Sequence, residues 1–142
     1  MNVPATVLNF GHELSFQAKE QLSLKFGQCN EIMITFAIDR RRPVIQEVSR
    51  IVETSVPQSI LAGTQPFVVA LPSLSIGVST LLAYLHGRIG YFPKVLDLMR
   101  DKQLGVFLIN DIIDLEYERS RARRKRSKTN GRRSCERNSQ ED

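Results

Sequence analysis

The 142-residue chain has little of what disulfide frameworks and metal centres require. It contains two cysteines, two histidines and no tryptophan. Cys29 and Cys135 lie far apart in the sequence, so they form neither a CxxC pair nor a disulfide framework. With so few soft ligands, we expect no metal site. Glycine-rich phosphate motifs of the GxGxxG or P-loop type are also missing, which argues against dinucleotide binding and ATPase activity. We expect no cofactor.

Long apolar segments are absent as well. No run approaches the ~18 to 20 residues that cross a bilayer. The first ten residues show no basic segment followed by a long apolar one, as a secretory signal would. Apolar residues make up 42% of the chain and charged residues 25%, which are ordinary values for a protein with a buried core. These features predict a cytoplasmic protein without membrane contact.

Positive charge is concentrated at one end of the chain. Residues 119–142 carry ten Lys and Arg against three acidic side chains, whereas residues 1–118 carry ten against twelve. We therefore divide the chain into a folded domain, 1–118, and a basic tail, 119–142. The tail has almost no apolar side chains and is predicted to be disordered. It is either an arm that attracts nucleic-acid phosphates or a solvated extension, and composition leaves both open.

Within residues 1–118, apolar runs alternate with amphipathic segments. Five runs have the composition of strands: Ala5–Phe10, Glu31–Ile38, Pro66–Leu71, Tyr91–Arg100 and Leu104–Tyr117. Three helices are predicted between them, one from an N-cap at Ser15 to Gly27, one that begins at Pro43, and one that ends near His86. Residues 55–65 are predicted to form a loop. The order βαβαβαββ predicts an α/β fold, a three-layer Rossmann-like sandwich whose mainly parallel sheet has an antiparallel edge hairpin.

Ligands of such sheets bind outside the carboxyl ends of the strands, at the switch in strand order. This rule points to two loops, Asn9–Ser15 and Pro72–Gly77, each of which joins a strand to a helix. Free backbone N–H groups at a helix N-terminus favour an anion such as phosphate. The hydroxyl groups of Ser73 and Ser75 add donors. The alternative is that the serines and glycines of these loops are ordinary helix caps.

The segment His86–Pro93 (HGRIGYFP) is the most unusual one in the chain. Arg88, between two glycines, offers a fork for phosphate, and Tyr91 offers a face on which a base can stack. Alternatively, Gly87 is simply a helix C-cap and His86 a structural histidine. No Ser–His–Asp arrangement or paired-carboxylate site can be argued from the sequence.

Three segments together resemble a small family of accessory proteins from type III CRISPR loci. They are VLNFGHELS (7–15), LHGRIGYFPKVLDLMR (85–100) and INDIIDL (109–115). The second segment is the most specific of the three, and the resemblance covers roughly residues 5 to 118. It implies a single CARF-like domain, that is, a CRISPR-associated Rossmann-like domain. The basic tail is a departure from the family.

The resemblance implies that a homodimer, or a larger assembly of such dimers, binds a cyclic oligoadenylate messenger, above all cyclic tetra-adenylate. The protein would sequester the messenger or read it for a partner. Alternatively it is a metal-independent ring nuclease, with His12, Arg88 and His86 as candidate catalytic residues. A weaker alternative is nucleic-acid binding through the tail. The ligand-binding residues are predicted to converge on one anion site: Asn9, Phe10, Gly11, His12, Ser73, Leu74, Ser75, Gly77, Arg88 and Tyr91.

Overall fold

The computed structural model describes residues 5–138 of the chain, with side chains for residues 6–126. The strands are β1 (Ala5–Asn9), β2 (Cys29–Met33), β3 (Val68–Ala70), β4 (Lys94–Arg100) and β5 (Phe107–Asp114). The helices are α1 (Phe16–Phe26), α2 (Val44–Ser55), α3 (Gln58–Leu61), α4 (Ser75–Ile89) and α5 (Leu115–Asn138).

The five strands form one sheet in the order β2-β1-β3-β4-β5. The first four strands run parallel, and β5 pairs antiparallel with β4. The register places Asn9 beside Met33 on one side and Ala70 on the other, so β1, β2 and β3 end at the same level. The predicted mainly parallel sheet with an antiparallel edge hairpin is confirmed, and the chain is a Rossmann-like α/β sandwich.

Apolar side chains fill both faces of the sheet. On one face, Ala18 and Leu22 of α1 share a buried cluster with Val7 of β1. On the other face, α2, α3 and α4 cover a larger cluster that includes Leu8 of β1 and Val48 of α2. Successive residues of β1 point to opposite faces, and both faces are covered, which explains why Val7 and Leu8 are both apolar and why the polar Thr6 and Asn9 are buried as well.

The ends of the first two helices follow the predicted signals. The Oγ atom of Ser15 accepts the N–H of Ala18 at 3.1 Å and so caps α1. Gly27 ends the helix at φ +85°, with its N–H donated to the carbonyl oxygen of Ser23. Pro43 immediately precedes α2. Both predicted helices are therefore confirmed.

Strand β2 is shorter than predicted, ending at Met33 and not at Ile38. Its one neighbour is β1, which ends at Asn9. The N–H of Ile34 still donates to the carbonyl oxygen of Asn9 at 2.8 Å, but the following residues have no strand beside them. They therefore leave the sheet and form the start of a loop that reaches α2. Strands β1 and β3 are also shorter than predicted.

Strands β4 and β5 lose residues for a different reason. β4 begins at Lys94 because Pro93 has no N–H to donate to a ladder. β5 ends at Asp114, whose Oδ1 accepts the N–H of Tyr117 at 3.0 Å. That bond is typical of an N-cap, so the predicted last strand turns into the start of α5.

Two helices differ from the sequence-based expectation. The predicted loop 55–65 contains α3, which buries Ile60 and Leu61 in the core. Helix α4 continues past His86, and its C-cap is Gly90 (φ +99°), not Gly87. Gly87 lies within the helix, where a Cβ would meet no atom within 4 Å. A glycine at such a position weakens a helix without ending it.

The segment predicted to be disordered, 119–142, is helical as far as Asn138 and forms most of α5. The predicted domain boundary falls inside this helix, and residues 139–142 lie outside the described residues. Local interactions support the first turns: Glu116 pairs with Arg119 at 3.3 Å and Glu118 with Arg121 at 2.7 Å. The division of the chain into a folded domain, 1–118, and a separate tail, 119–142, stays a prediction.

Candidate functional site

A cavity of about 530 Å³ lies at the carboxyl ends of β1, β2 and β3. The chain leaves β1 toward β2 on one side and later enters β3 on the other, so the cavity lies at the switch in strand order. Its lining includes the predicted residues Asn9, Phe10, Gly11, His12, Ser73 and Leu74. The structure therefore brings the two predicted loops together at one site.

Asn9 organises the loop after β1. Its side chain is fully buried, and its Oδ1 accepts the N–H of Gly11 at 2.8 Å. Its Nδ2 donates to the carbonyl oxygen of His12 at 2.7 Å and to Oε2 of Glu31 at 2.8 Å. The same Glu31 oxygen accepts the N–H of Leu14 at 3.0 Å. Every hydrogen-bonding atom of the Asn9 side chain thus holds the loop, so Asn9 acts as a positioning residue here.

The two loops approach each other closely at Gly11. A Cβ on Gly11 would lie 2.8 Å from the carbonyl oxygen of Leu71, which is a backbone atom and cannot move independently. Only glycine leaves room for this contact. The glycine at this position therefore sets the distance between the loop after β1 and the loop after β3.

Helix α4 begins beside the cavity without a side-chain cap. Leu74 is its N-cap, supplies no capping hydrogen bond, and is followed by a first turn without acidic residues. The first N–H groups of a helix have no partner within it, so they are available to an anion. Ser75 and Gly77 belong to this turn, while the aromatic ring of Phe36 lies so close to Gly77 that a Cβ there would be 2.7 Å from it.

Two titratable side chains, His12 and Glu13, are among the residues that line the cavity, and no lysine or arginine in the described part does. Glu13 accepts a hydrogen bond from Nζ of Lys19 at 3.0 Å, which raises the pKa of that lysine. Lys19 also lies 3.6 Å from Oε1 of Glu31. Within the cavity itself, a phosphate would therefore depend on backbone N–H groups, hydroxyl groups and the imidazole of His12.

Arg88, His86 and Tyr91 lie at the other end of the sheet, contrary to the predicted convergence. Helix α4 begins at the cavity and Arg88 is thirteen residues further along it, which corresponds to roughly 20 Å at 1.5 Å per residue. The reason is the length and direction of the helix. Helix α4 begins at the carboxyl ends of the strands and runs back along the sheet, so its last residues lie near the amino ends of the strands. Within one chain, these three residues are separate from the cavity.

Arg88 instead links α4 to α2. Its Nε donates to Oε1 of Glu53, and its Nη2 donates to Oε2 of the same residue at 3.2 Å. Tyr84 donates its hydroxyl to Glu53 at 2.6 Å. The hydrogen bonds from Arg88 and Tyr84 hold the pKa of Glu53 below its usual value. The arginine is thus one half of a partly exposed ion pair between two helices.

The other two residues have different surroundings: His86 lies against an aromatic ring, whereas the cavity beside Tyr91 is lined by both aromatic and charged side chains, the charged ones being Lys94, Asp114 and Glu116. The ring of His86 lies against that of Phe92, with centroids 4.2 Å apart. Tyr91 lines a second, smaller cavity of about 350 Å³ at the amino ends of β1, β3 and β4, together with Phe26 and Phe67. The structure therefore gives the HGRIGYFP segment a place in packing at this end.

Sequence reasoning missed the contribution of the strand β2 end. Residues 33–37 line the cavity, and the ring of Phe36 meets that of Phe10 edge to face at 5.8 Å. The carboxyl-end rule applies to β2 as much as to β1 and β3, so it could have included this loop. The role of Glu31 could not be read from the sequence, because it depends on the register between β1 and β2.

Comparisons with known proteins add no relative. No protein-family model matches the chain, and no curated protein or solved structure is significantly similar to it. The resemblance to type III CRISPR accessory proteins therefore rests on its three sequence segments, while the fold and the cavity stand on the structure.

Among residues 5–138, none of the helices is both long and apolar enough to cross a bilayer. Within the same residues, no group of three or more His, Cys, Asp or Glu is arranged so that it could hold a metal ion.

Proposed function

We propose that the cavity at the ends of β1, β2 and β3 binds a cyclic oligoadenylate, with cyclic tetra-adenylate as the preferred ring, in cytoplasmic type III CRISPR antiviral signalling. The observation that carries the proposal is the position of the cavity at the switch in strand order, beside the uncapped N-terminus of α4. The choice of ligand comes from the resemblance of the three sequence segments.

The cavity and the start of α4 beside it supply both kinds of contact that an adenine nucleotide needs, although Ser75 and Gly77 themselves are not among the residues that line the cavity. The N–H groups of the first turn of α4 and the hydroxyl of Ser73 would bind phosphate. The rings of Phe36 and Phe107, which both line the cavity, would stack on adenine. Because Asn9 and Glu31 already hold the loop after β1, the ligand need not order it on binding.

One chain encloses too little space for the whole ring. Cavities of about 300 to 1,000 Å³ hold one drug-sized ligand, and the cavity here is about 530 Å³. A four-nucleotide ring has two-fold symmetry, so two copies of the chain could each hold one half. We therefore propose a homodimer with one ring per two chains, which a titration with known concentrations measures directly.

Binding is tested by calorimetric titration with cyclic tri-, tetra- and hexa-adenylate. Ser75→Pro removes one N–H and the hydroxyl at the first position of α4, where proline is well tolerated. Ser75→Ala removes the hydroxyl alone and is the matched control. We expect tetra-adenylate to bind most tightly and Ser75→Pro to weaken it about tenfold relative to Ser75→Ala. Failure of all three rings to bind the unmodified protein would refute the proposal.

Cleavage of the same ring is the second candidate, because His12 lies in the cavity lining and is exposed. A ring nuclease would direct a ribose 2′-oxygen at the adjacent phosphorus and displace the 5′-oxygen, with a side chain moving the proton. Incubation of excess ring with the protein and EDTA distinguishes the two functions. Many turnovers that His12→Ala abolishes without loss of binding indicate the nuclease, and an intact ring indicates sequestration or signalling.

The basic part of α5 supports a separate, weaker proposal of nucleic-acid binding. Residues 121–126 are all exposed and five of them are Arg or Lys. A chain truncated after Glu118 should lose RNA retention on a filter and keep its affinity for the ring. Equal RNA retention by the full and truncated chains would leave the tail without this role.

A further inference from the structure

A groove lined by arginines lies next to the cavity at the carboxyl ends of β1, β2 and β3. It has a volume of about 550 Å³, and its lining includes Arg41 and Arg42 of the loop after β2 and Arg50 of α2. Ala37 lines both the cavity and this groove, so the two are adjacent. The groove therefore places positive charge next to a cavity whose own lining contains no lysine or arginine in the described part.

The charge balance of the groove favours an anion. The carboxylate of Asp39 accepts hydrogen bonds from Nε of Arg41 at 3.1 Å and from Nη2 of Arg41 at 3.3 Å. Nε of Arg42 lies further away, 3.9 Å from Oδ2 of Asp39. The hydrogen bond from Arg41 lowers the pKa of Asp39, which stays ionised. One carboxylate thus faces two guanidinium groups, whose side chains are 90% and 66% exposed. Such exposed pairs are weak and open to exchange.

The loop that carries these arginines is tied to α2. Glu47, whose side chain is only 5% exposed, accepts the N–H of Asp39 at 3.4 Å and Nη2 of Arg50 at 3.0 Å. The hydrogen bond from Arg50 lowers the pKa of Glu47, so the anchoring carboxylate remains charged. The arginines are therefore displayed from a backbone that is held in place, although their side chains reach into solvent.

We propose that this groove binds phosphates of the same ligand that occupies the cavity, so that the site selects a polyanionic nucleotide spanning Ala37 over a mononucleotide. The inference rests on the proposed function and extends it. A guanidinium group binds phosphate through paired hydrogen bonds. In the free protein Asp39 takes the place of that phosphate on Arg41, and an entering phosphate displaces it.

The test compares the double variant Arg41→Ala/Arg42→Ala with the double variant Arg119→Ala/Arg121→Ala, which removes the same charge from a half-buried and an exposed position on α5. Cyclic tetra-adenylate and adenosine monophosphate are titrated into each. We expect the groove variant to bind the ring about 100-fold more weakly, at about tenfold for each arginine, and the monophosphate less than about twofold more weakly. The α5 variant should bind both as the unmodified protein does.

Asp39→Asn gives the opposite change. The asparagine Oδ1 can still accept the backbone N–H of Arg41, a bond of 3.0 Å in this structure, while the competing charge is gone. The variant should bind the ring several-fold more tightly, with a larger gain at low salt. Ring binding that neither the groove variant nor Asp39→Asn changes would overturn this inference and leave the proposed function intact. A ring that the unmodified protein does not bind would overturn both.

Discussion

Both ends of the sheet carry polar side chains, but the two ends differ in the hydrogen-bond partners of those side chains. At the carboxyl end, Asn9 and Glu31 use their hydrogen bonds to hold a loop beside an uncapped helix. At the amino end, Arg88 and Glu53 use theirs on each other. Backbone donors thus remain available at the first end, whereas side-chain charges are neutralised at the second. The unusual sequence segment around Arg88 is therefore a poorer guide to a binding site than the uncapped start of α4 is.

The largest expected difference comes from two buried polar residues of β1, one near each end. Asn9→Leu keeps the shape of the side chain but removes bonds to two backbone groups and a carboxylate, which should cost about 3 kcal/mol of unfolding free energy. Thr6→Val removes one bond, from Nε2 of Gln65 at 2.8 Å, and should cost about 1 kcal/mol. Urea denaturation measures both. Ligand affinity should fall for Asn9→Leu alone, and an equal loss for the two variants would contradict the comparison.

The next largest difference in stability is expected between alanine substitutions at two glycines, Gly11 and Gly87. Gly11→Ala forces the new Cβ against the carbonyl oxygen of Leu71 and should cost about 1 to 3 kcal/mol. Gly87→Ala adds a Cβ in open space inside α4 and should stabilise the protein by about 0.5 to 1 kcal/mol. Thermal unfolding of the two variants should shift in opposite directions. A destabilised Gly87→Ala would mean that an unseen partner contacts that side of the helix.

Acid should affect the two ends unequally through carboxylates on α2. The pKa values of Glu47 and Glu53 both lie below the ordinary value of about 4.5, because arginines donate hydrogen bonds to them. Their contribution to stability is therefore complete above that value and is lost as the pH falls through the lowered pKa. The side chain of Glu47 is buried and that of Glu53 is 40% exposed, so solvent screens Glu53 more.

We accordingly expect Glu47→Gln to reduce the fall in Tm between pH 7 and pH 3 more than Glu53→Gln does. Tm measured by circular dichroism across this range provides the check. The same acid sensitivity in both variants and in the unmodified chain would show that neither pair contributes.

The smallest expected effect is that of Arg88→Ala. It breaks an exposed ion pair about 20 Å from the cavity, so affinity for the ring should change less than about twofold and the Tm only slightly. Glu53→Gln is the control, because it disrupts the same pair from the other side. A large loss of affinity in Arg88→Ala alone would mean that the amino end of a second copy belongs to the site.

Much of the fold could be predicted because its signals are local. Ser15, Gly27 and Pro43 mark helix ends through their own chemistry, and uninterrupted apolar runs mark strands covered on both faces. The position of Arg88 follows from the predicted helix itself, because a helix that starts at the carboxyl end of a strand and runs back along the sheet ends near the strands' amino ends. The roles of Glu31 and Phe36 depend on which strands are neighbours and in what register. Those facts arise from packing between distant segments, which no local pattern contains.

Leu74, at the start of α4, implies a compromise between thermal stability and anion binding. A Ser or Asp at that place would typically add about 1 kcal/mol to the helix, and such gains are easy for evolution or an engineer to acquire. Leu74→Asp should therefore yield a more heat-resistant protein whose own carboxylate occupies the donors an incoming anion would use. Retaining leucine keeps the protein slightly less stable and leaves the N–H groups at the start of α4 available to a bound anion.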